Sequence, residues 1–223
     1  MIKLSKRLKL VATYIDDNSS MVDIGCDHGL LDIYLFLNKN NIRIVASDVN
    51  ENALANAKRN IKKYKLDNDI KTVVSNGLDN IDTSNMDTIV ISGMGAHTIV
   101  GILYNNLSKL KTIKKIVIQS NNDIDFIRYK LSRIDYYISD EKLVKDAGII
   151  YTVIVFEKGH RIYTKKQIYF GPILMKENSE LFREKCRIEL SKMEKFYPMI
   201  PKKRIHHRMK IHWRIKVLKK ILN

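Results

Sequence analysis

The stretch MVDIGCDHGLLD, from Met21 to Asp32, decides how the chain is read. It begins as a buried strand, turns at Gly25 and enters a helix after Gly29, the order of a nucleotide-binding turn. Gly25 permits the tight turn, and Gly29 lets the helix approach the sheet closely. A dinucleotide-binding loop needs a further glycine between them, because pyrophosphate must approach the backbone. Asp27 occupies that place and would repel a phosphate.

Working outward, apolar runs rich in Val and Ile recur as SMVDIG, IRIVAS, IKTVVS, DTIVIS and KKIVIQS. Each is short enough for a buried strand. Between them LLDIYLFLNK, ENALANAKRNIKKYK, AHTIVGILYNNLSKL and DIDFIRYKLSRI carry helical spacing. Strands alternating with helices predict an α/β domain with a parallel sheet. YYISDEKLVKDAGIIYTVIVFEKG then reads as two strands joined by a turn around Asp146 and Gly148, with no helix between them. A parallel sheet that ends in an antiparallel hairpin is the Rossmann-like arrangement expected of methyltransferases. A dinucleotide dehydrogenase more often closes with another parallel unit.

The chain has 223 residues and a formal net charge of +16, and that charge is unevenly placed. Residues 159–223 hold 18 Lys/Arg against 5 Asp/Glu, whereas residues 1–158 hold 22 against 19. Such a one-signed field attracts polyanions, nucleic acid above all. The predicted organisation is a methyltransferase domain over 1–158 and a basic helical hairpin over 159–223. In the second part, Pro172 opens one helix running to Phe196 and Tyr197, Pro198 and Pro201 end it, and a second helix puts Ile211, Ile215, Leu218 and Leu222 on one face. His206, His207, His212 and Trp213 lie among its cations. Neighbouring histidines on a helix diverge and no acidic ligand is near, so an RNA grip fits better than a metal. Cys26 and Cys186 make no metal spacing and fit a reduced, cytoplasmic protein. The N-terminal segment is spaced as an amphipathic helix, without the apolar core of a signal peptide, and no run is long enough to span a membrane.

A carboxylate in the first turn suits a cationic ligand. S-adenosylmethionine carries a sulfonium and an α-amino group and has no phosphate, so it is the expected methyl donor. Asp48 ends the second strand nineteen residues beyond Gly29, with Val49 beside it. An acidic residue there accepts hydrogen bonds from ribose hydroxyls. Asp also caps helices, but Asn50 and Glu51 fit that cap and leave Asp48 free. Asn76, Gly77 and Leu78 follow the third strand and are placed to frame the donor's adenine, although Asn-Gly is also an ordinary turn. Gly93 and Met94 follow the fourth strand, where a flat acceptor could lie against the backbone. Gln119, Asn121 and Asn122 follow the fifth and suit either base-edge hydrogen bonds or a cap on the next helix.

LSKRL, VDIGCDHG, SGMGAH, AGIIYTVIVFEKG and YFGPILMKE, in that order, resemble the TrmK family of bacterial tRNA adenine N1-methyltransferases that modify position 22. The resemblance covers essentially the whole chain. It implies a donor-binding Rossmann-like domain, a helical domain that helps bind tRNA, and methyl transfer to N1 of adenine. Asp27 and His28 are then the candidates for catalysis, Asp27 beside the base or the donor's amino group and His28 as an acid, a base or a base-edge contact. The family's loop usually continues after Asp-His with Ala, an aromatic or Leu, Leu and Pro, where this chain has Gly29, Leu30, Leu31 and Asp32. Its usual Gln-Pro is here Gln119-Ser120. The expected partner is tRNA and the expected state a monomer. The competing expectations are a methyltransferase for another RNA, a protein or a small molecule, and a non-catalytic RNA-binding protein.

Overall fold

Apolar β-branched runs flanked by polar turns form the sheet of the computed structural model, which describes residues 2–223. Its strands are β1 (Ser20–Ile24), β2 (Arg43–Asp48), β3 (Ile70–Val74), β4 (Thr88–Met94), β5 (Lys115–Ser120), β6 (Tyr136–Asp146) and β7 (Ile149–Lys158). They lie in the order β3-β2-β1-β4-β5-β7-β6. The first five pair in parallel, and β7 runs antiparallel to both β5 and β6. Because these strands are parallel, the loops after β1, β2, β3 and β4 share one edge, and the order in which strands are added reverses between β1 and β4. That edge is the switch point where open α/β sheets bind ligands.

The sheet carries α1 (Lys6–Ala12), α2 (Leu30–Asn38), α3 (Glu51–Lys63), α4 (Ala96–Tyr104) and α5 (Ile124–Leu131). Ser5 caps α1 by accepting from Leu8 N, and Asn50 caps α3 by accepting from Asn52 N and Ala53 N. Asp48 is thereby spared from capping, as the sequence required. The core gathers Val11 of α1, Ile15 just after it, Ile33 and Leu35 of α2, and Leu54, Ala57 and Ile61 of α3 with residues of β1 and β2. The β6–β7 turn is Ala147-Gly148, both at positive φ (46° and 80°), which matches the twist of a two-residue hairpin. Midway along β6, Glu141 forms a buried ion pair with Arg128 of α5.

Contacts divide the chain into two compact units, one reaching Ile162 and one from Tyr163 to Asn223. The second consists of α6 (Lys165–Phe170), α7 (Pro172–Glu177), α8 (Glu180–Phe196) and α9 (Ile205–Leu222). The single helix expected from Pro172 is two helices. Asn178 adopts a left-handed conformation (φ 45°) that ends α7, and Ser179 caps α8 through Phe182 N. Asn-Ser thus supplies a stop and a start inside a continuous apolar pattern. Arg183 near the start of α8 reaches the carbonyls of Ile221 and Leu222, while Arg208 near the start of α9 reaches those of Tyr197 and Ile200. The two helices therefore run antiparallel, with Ile211, Ile215 and Leu218 buried and Leu222 half-buried. Among the described residues no helix is long and apolar enough to cross a membrane.

Candidate donor and acceptor site

The turn after β1 is built by its glycines. Gly25 (φ 79°) donates from its backbone to Ser47 O, as does Cys26, which ties the turn to β2. A Cβ on Gly25 would lie 2.2 Å from the Met94 methyl, so this position brings the first and fourth loops together. Gly29 (φ 65°) opens α2, and a Cβ there would press on Ala57 of α3 at 3.2 Å. Asp27 itself has φ 50° and points an exposed carboxylate outward, with His28 Nε2 3.6 Å from it. The two candidates for catalysis therefore sit at the open mouth of the turn.

Asp48 is the centre of the candidate donor side. Its Oδ2 accepts from Asp27 N (3.3 Å) and its Oδ1 from Asn50 N (2.9 Å). A carboxylate has about four acceptor sites, so each oxygen can still take a hydroxyl donor. Val49 beside it is 65% exposed, an apolar surface next to that carboxylate. After β3, Gly77 (φ 59°) lies so close to Ile102 of α4 that a Cβ would meet it at 2.7 Å. Asn76 is exposed and bonded to Asp79 through its side-chain amide, whereas the Leu78 side chain is wholly in the core. Leu78 is fully buried, backbone as well as side chain, and its carbonyl accepts from Lys109 Nζ. Lys109 Nζ holds this loop by donating to the carbonyls of Leu78, Asp79 and Ile81.

Two further carboxyls, Asp23 and Asp32, lie beneath the glycine turn. Asp23 on β1 is 4% exposed, and burial together with the Asp48 charge pushes its carboxyl up to about 7. Asp32 in the first turn of α2 is fully buried, and neither of its oxygens has a hydrogen-bond partner. Burial, then Asp23, raises its carboxyl well above the ordinary range. Burial and the same acids raise the Cys26 thiol strongly, so it stays protonated and is no nucleophile. Raised in this way, the two buried carboxyls are largely neutral, so the charge that disfavours phosphate and suits the sulfonium and ammonium of S-adenosylmethionine is that of Asp27 and Asp48 at the mouth. The sequence signal for the pair was two Asp residues on apolar faces.

The candidate acceptor side is formed by β4 and β5. A bulge between Ser92 and Met94 throws Gly93 (φ 85°) out of the ladder. Gly93 N donates to Gln119 Oε1 (3.1 Å), and Asn121 Nδ2 donates to Gly93 O (2.7 Å). Asn122 Oδ1 accepts from Ala96 N at the start of α4, and not from the next helix, α5, whose N-cap Asp123 makes no side-chain cap bond. Arg7 was not foreseen as a site residue. Its guanidinium reaches Ser92 Oγ (3.1 Å) and Gln119 Oε1 and lies 5.5 Å from the Tyr151 ring, while its backbone N–H is held by Asp146. In sequence it is one cation on an amphipathic helix, and only the fold carries it to the end of β4.

In the second unit Lys202, Lys203, Arg204, His206 and His207 are exposed around the start of α9. Trp213 is half-buried instead, packed with Tyr169 and Phe170 beneath Lys165. It serves the helical unit's own packing more than an open stacking surface. Among the described residues no three His, Cys, Asp or Glu gather as metal ligands.

The family described as TrmK, tRNA (adenine(22)-N(1))-methyltransferase, matches residues 21–220. This chain belongs to the TrmK family. The tRNA (adenine(22)-N(1))-methyltransferase of Bacillus subtilis is 33% identical over 205 residues, covering 89% of this chain and 86% of the relative. The crystal structure of the B. subtilis M1A22 tRNA methyltransferase TrmK superposes with a TM-score of 0.92 at 30% identity over the full length of both chains. M. capricolum TrmK, solved with the cofactor product S-adenosyl-homocysteine, superposes with a TM-score of 0.86 at 29% identity, covering 98% of this chain and 97% of that one. The Rossmann-like architecture of this TrmK-family chain, with its sheet closed by an antiparallel hairpin, is the one its sequence implied.

Proposed function

We propose that this protein transfers a methyl group from S-adenosylmethionine to N1 of adenine 22 in tRNA. The observation that carries the reading is the match of residues 21–220 to a family described by that reaction. The chain's own geometry supports it, with an acidic donor side and a cationic, amide-lined acceptor side meeting where Met94 touches Gly25.

Asp48 would hold the donor's ribose, Val49 and the Asn76-Gly77-Leu78 loop its adenine, and Gly25, Asp27 and Gly29 its methionine end. Gly93 and Met94 offer the acceptor base a flat backbone surface. Adenine N1 has an in-plane lone pair, so the N1–carbon bond forms as the carbon–sulfur bond breaks. The positive charge passes from sulfur to the purine ring, and no covalent enzyme intermediate is needed. The protein's task is orientation and exclusion of water, which can contribute roughly 7–11 kcal/mol. Asp27 at the mouth is placed either to oppose the charge left on the ring or to hold the donor's amino group, with His28 beside it. Position 22 must be unpaired or extruded before N1 can react.

The Tyr163–Asn223 unit, with its exposed Lys202, Lys203 and Arg204, is read as the grip on the tRNA backbone. We read the protein as a cytoplasmic monomer that needs no metal, since one chain supplies both the donor turns and the cationic helices. Incubation with radiolabelled S-adenosylmethionine and an unmodified tRNA transcript should label N1 of adenine 22, and a transcript with guanine there should stay unlabelled. Absence of label on any tRNA would refute the proposal.

A further inference from the structure

We infer that Asn121 is the residue that selects adenine, its side-chain oxygen accepting from the exocyclic N6 amino group, with Gln119 and Arg7 as positioning residues that fix which way it faces. The inference rests on the reaction proposed above and adds how the acceptor base is chosen. It starts from the hydrogen bonds at the end of β4. Amide oxygen and nitrogen are told apart by their partners. Gln119 is fully buried, and its Oε1 meets three donors, Gly93 N (3.1 Å), Ser92 Oγ (3.1 Å) and the Arg7 guanidinium. That end must be the oxygen, and the cation makes a flip costly.

Gln119 Nε2 is consequently turned toward Asn121, whose Oδ1 it approaches at 3.4 Å. The other end of the Asn121 amide donates to Gly93 O at 2.7 Å, and Asn121 N donates to Met94 O at 3.0 Å. Asn121 is therefore pinned at both ends against the Gly93–Met94 backbone, and it is exposed. Its oxygen accepts only one long bond and keeps a lone pair for a ligand.

Adenine carries an amino group on the carbon next to N1. An acceptor beside the reacting nitrogen attracts that amino group. Guanine has a carbonyl at the same carbon, which the Asn121 oxygen repels. Ser92 and Gln119 are neutral, so Arg7 keeps its full charge while it orients the amide.

The test compares tRNA transcripts bearing adenosine or purine ribonucleoside, which keeps N1 and lacks the amino group, at position 22. The readout is the ratio of kcat/KM for the two transcripts, in which the intrinsic reactivity of each base cancels between variants. Asn121→Ala should lower the wild-type ratio by about tenfold. Gln119→Glu should lower it too, because a carboxylate facing Asn121 Oδ1 repels that oxygen and displaces it from the base while the Arg7 contact survives. S-adenosylhomocysteine affinity should be unchanged in both, which also reports folding. If Asn121→Ala does not fold, Gln119→Glu carries the test alone. A ratio equal to wild type, even with a lower rate, overturns the inference. A wild-type protein that labels no tRNA overturns the proposed reaction and this inference with it.

Discussion

Replacing Asp23 by Asn should change how stability depends on pH. Asp23 is 4% exposed, and its carboxyl is raised to about 7 by burial and by the Asp48 charge. In the unfolded chain the same group loses its proton near 4. Between those values the folded protein binds more protons than the unfolded one, so stability falls as pH rises. Below pH 4 the group imposes no penalty, and above pH 7 the penalty is complete. At 1.36 kcal/mol per pH unit, the full difference is about 4 kcal/mol, of which roughly 2–3 kcal/mol is lost between pH 5 and pH 8. That is a large share of a typical domain stability of about 5–15 kcal/mol. The assay is urea unfolding of donor-free wild type and Asp23→Asn at both pH values. Any fixed cost of the amide shifts the variant equally at each pH and drops out of the comparison. Asp32 is present in both proteins, and burial, the larger cause of its raised carboxyl, is common to each; the smaller contribution from the Asp23 charge is removed in the variant, so the comparison reads the Asp23–Asp32 pair. The variant should lose less stability than wild type by about 2–3 kcal/mol on going from pH 5 to 8. Parallel losses would show that Asp23 ionises as freely in the fold as outside it, and the acidic donor side would need another explanation.

Asp48→Ala should weaken S-adenosylhomocysteine binding about 100-fold in calorimetry, for two lost bonds to a charged acceptor at ~1.5 kcal/mol each, and leave tRNA affinity within about twofold. Gly25→Ala should also weaken it, because an alanine at φ 79° costs about 1–2 kcal/mol and its Cβ collides with Met94. A Met94→Ala background should relieve the collision but not the backbone cost. If Gly25→Ala left donor affinity unchanged in that background, the backbone argument would be wrong. Reversing Lys202, Lys203 and Arg204 to Glu should flatten the slope of log affinity for tRNA against log salt by about two to three. Donor binding should not change, and an unaltered slope would remove these residues from the grip.

The local geometry of the candidate donor side was legible in the chain because its parts are neighbours in sequence. A glycine turn, the acid ending the next strand and the Asn50 cap each lie within a few residues of a strand end, where conformational preference and spacing suffice. The two-residue hairpin turn and the apolar stripe of α9 were readable for the same reason. The break between α7 and α8 was not, since Asn178-Ser179 interrupts no apolar period and only its left-handed backbone reveals the stop. Leu78 was placed correctly in the loop, yet periodicity could not tell that its side chain turns into the core.

The sequence by itself determined the order of strands and helices, the acidity of the first turn and the concentration of cations after residue 158. These depend on neighbours along the chain. Tertiary structure alone decided that Arg7 meets Gln119, that Met94 closes on Gly25, and that Asp23 and Asp32 share one dry space. Those residues become neighbours only when the crossover from β3 to β4 lays distant strand ends along one edge of the sheet. Burial there changes what a carboxyl or a guanidinium can do, because the water that would screen it has been removed.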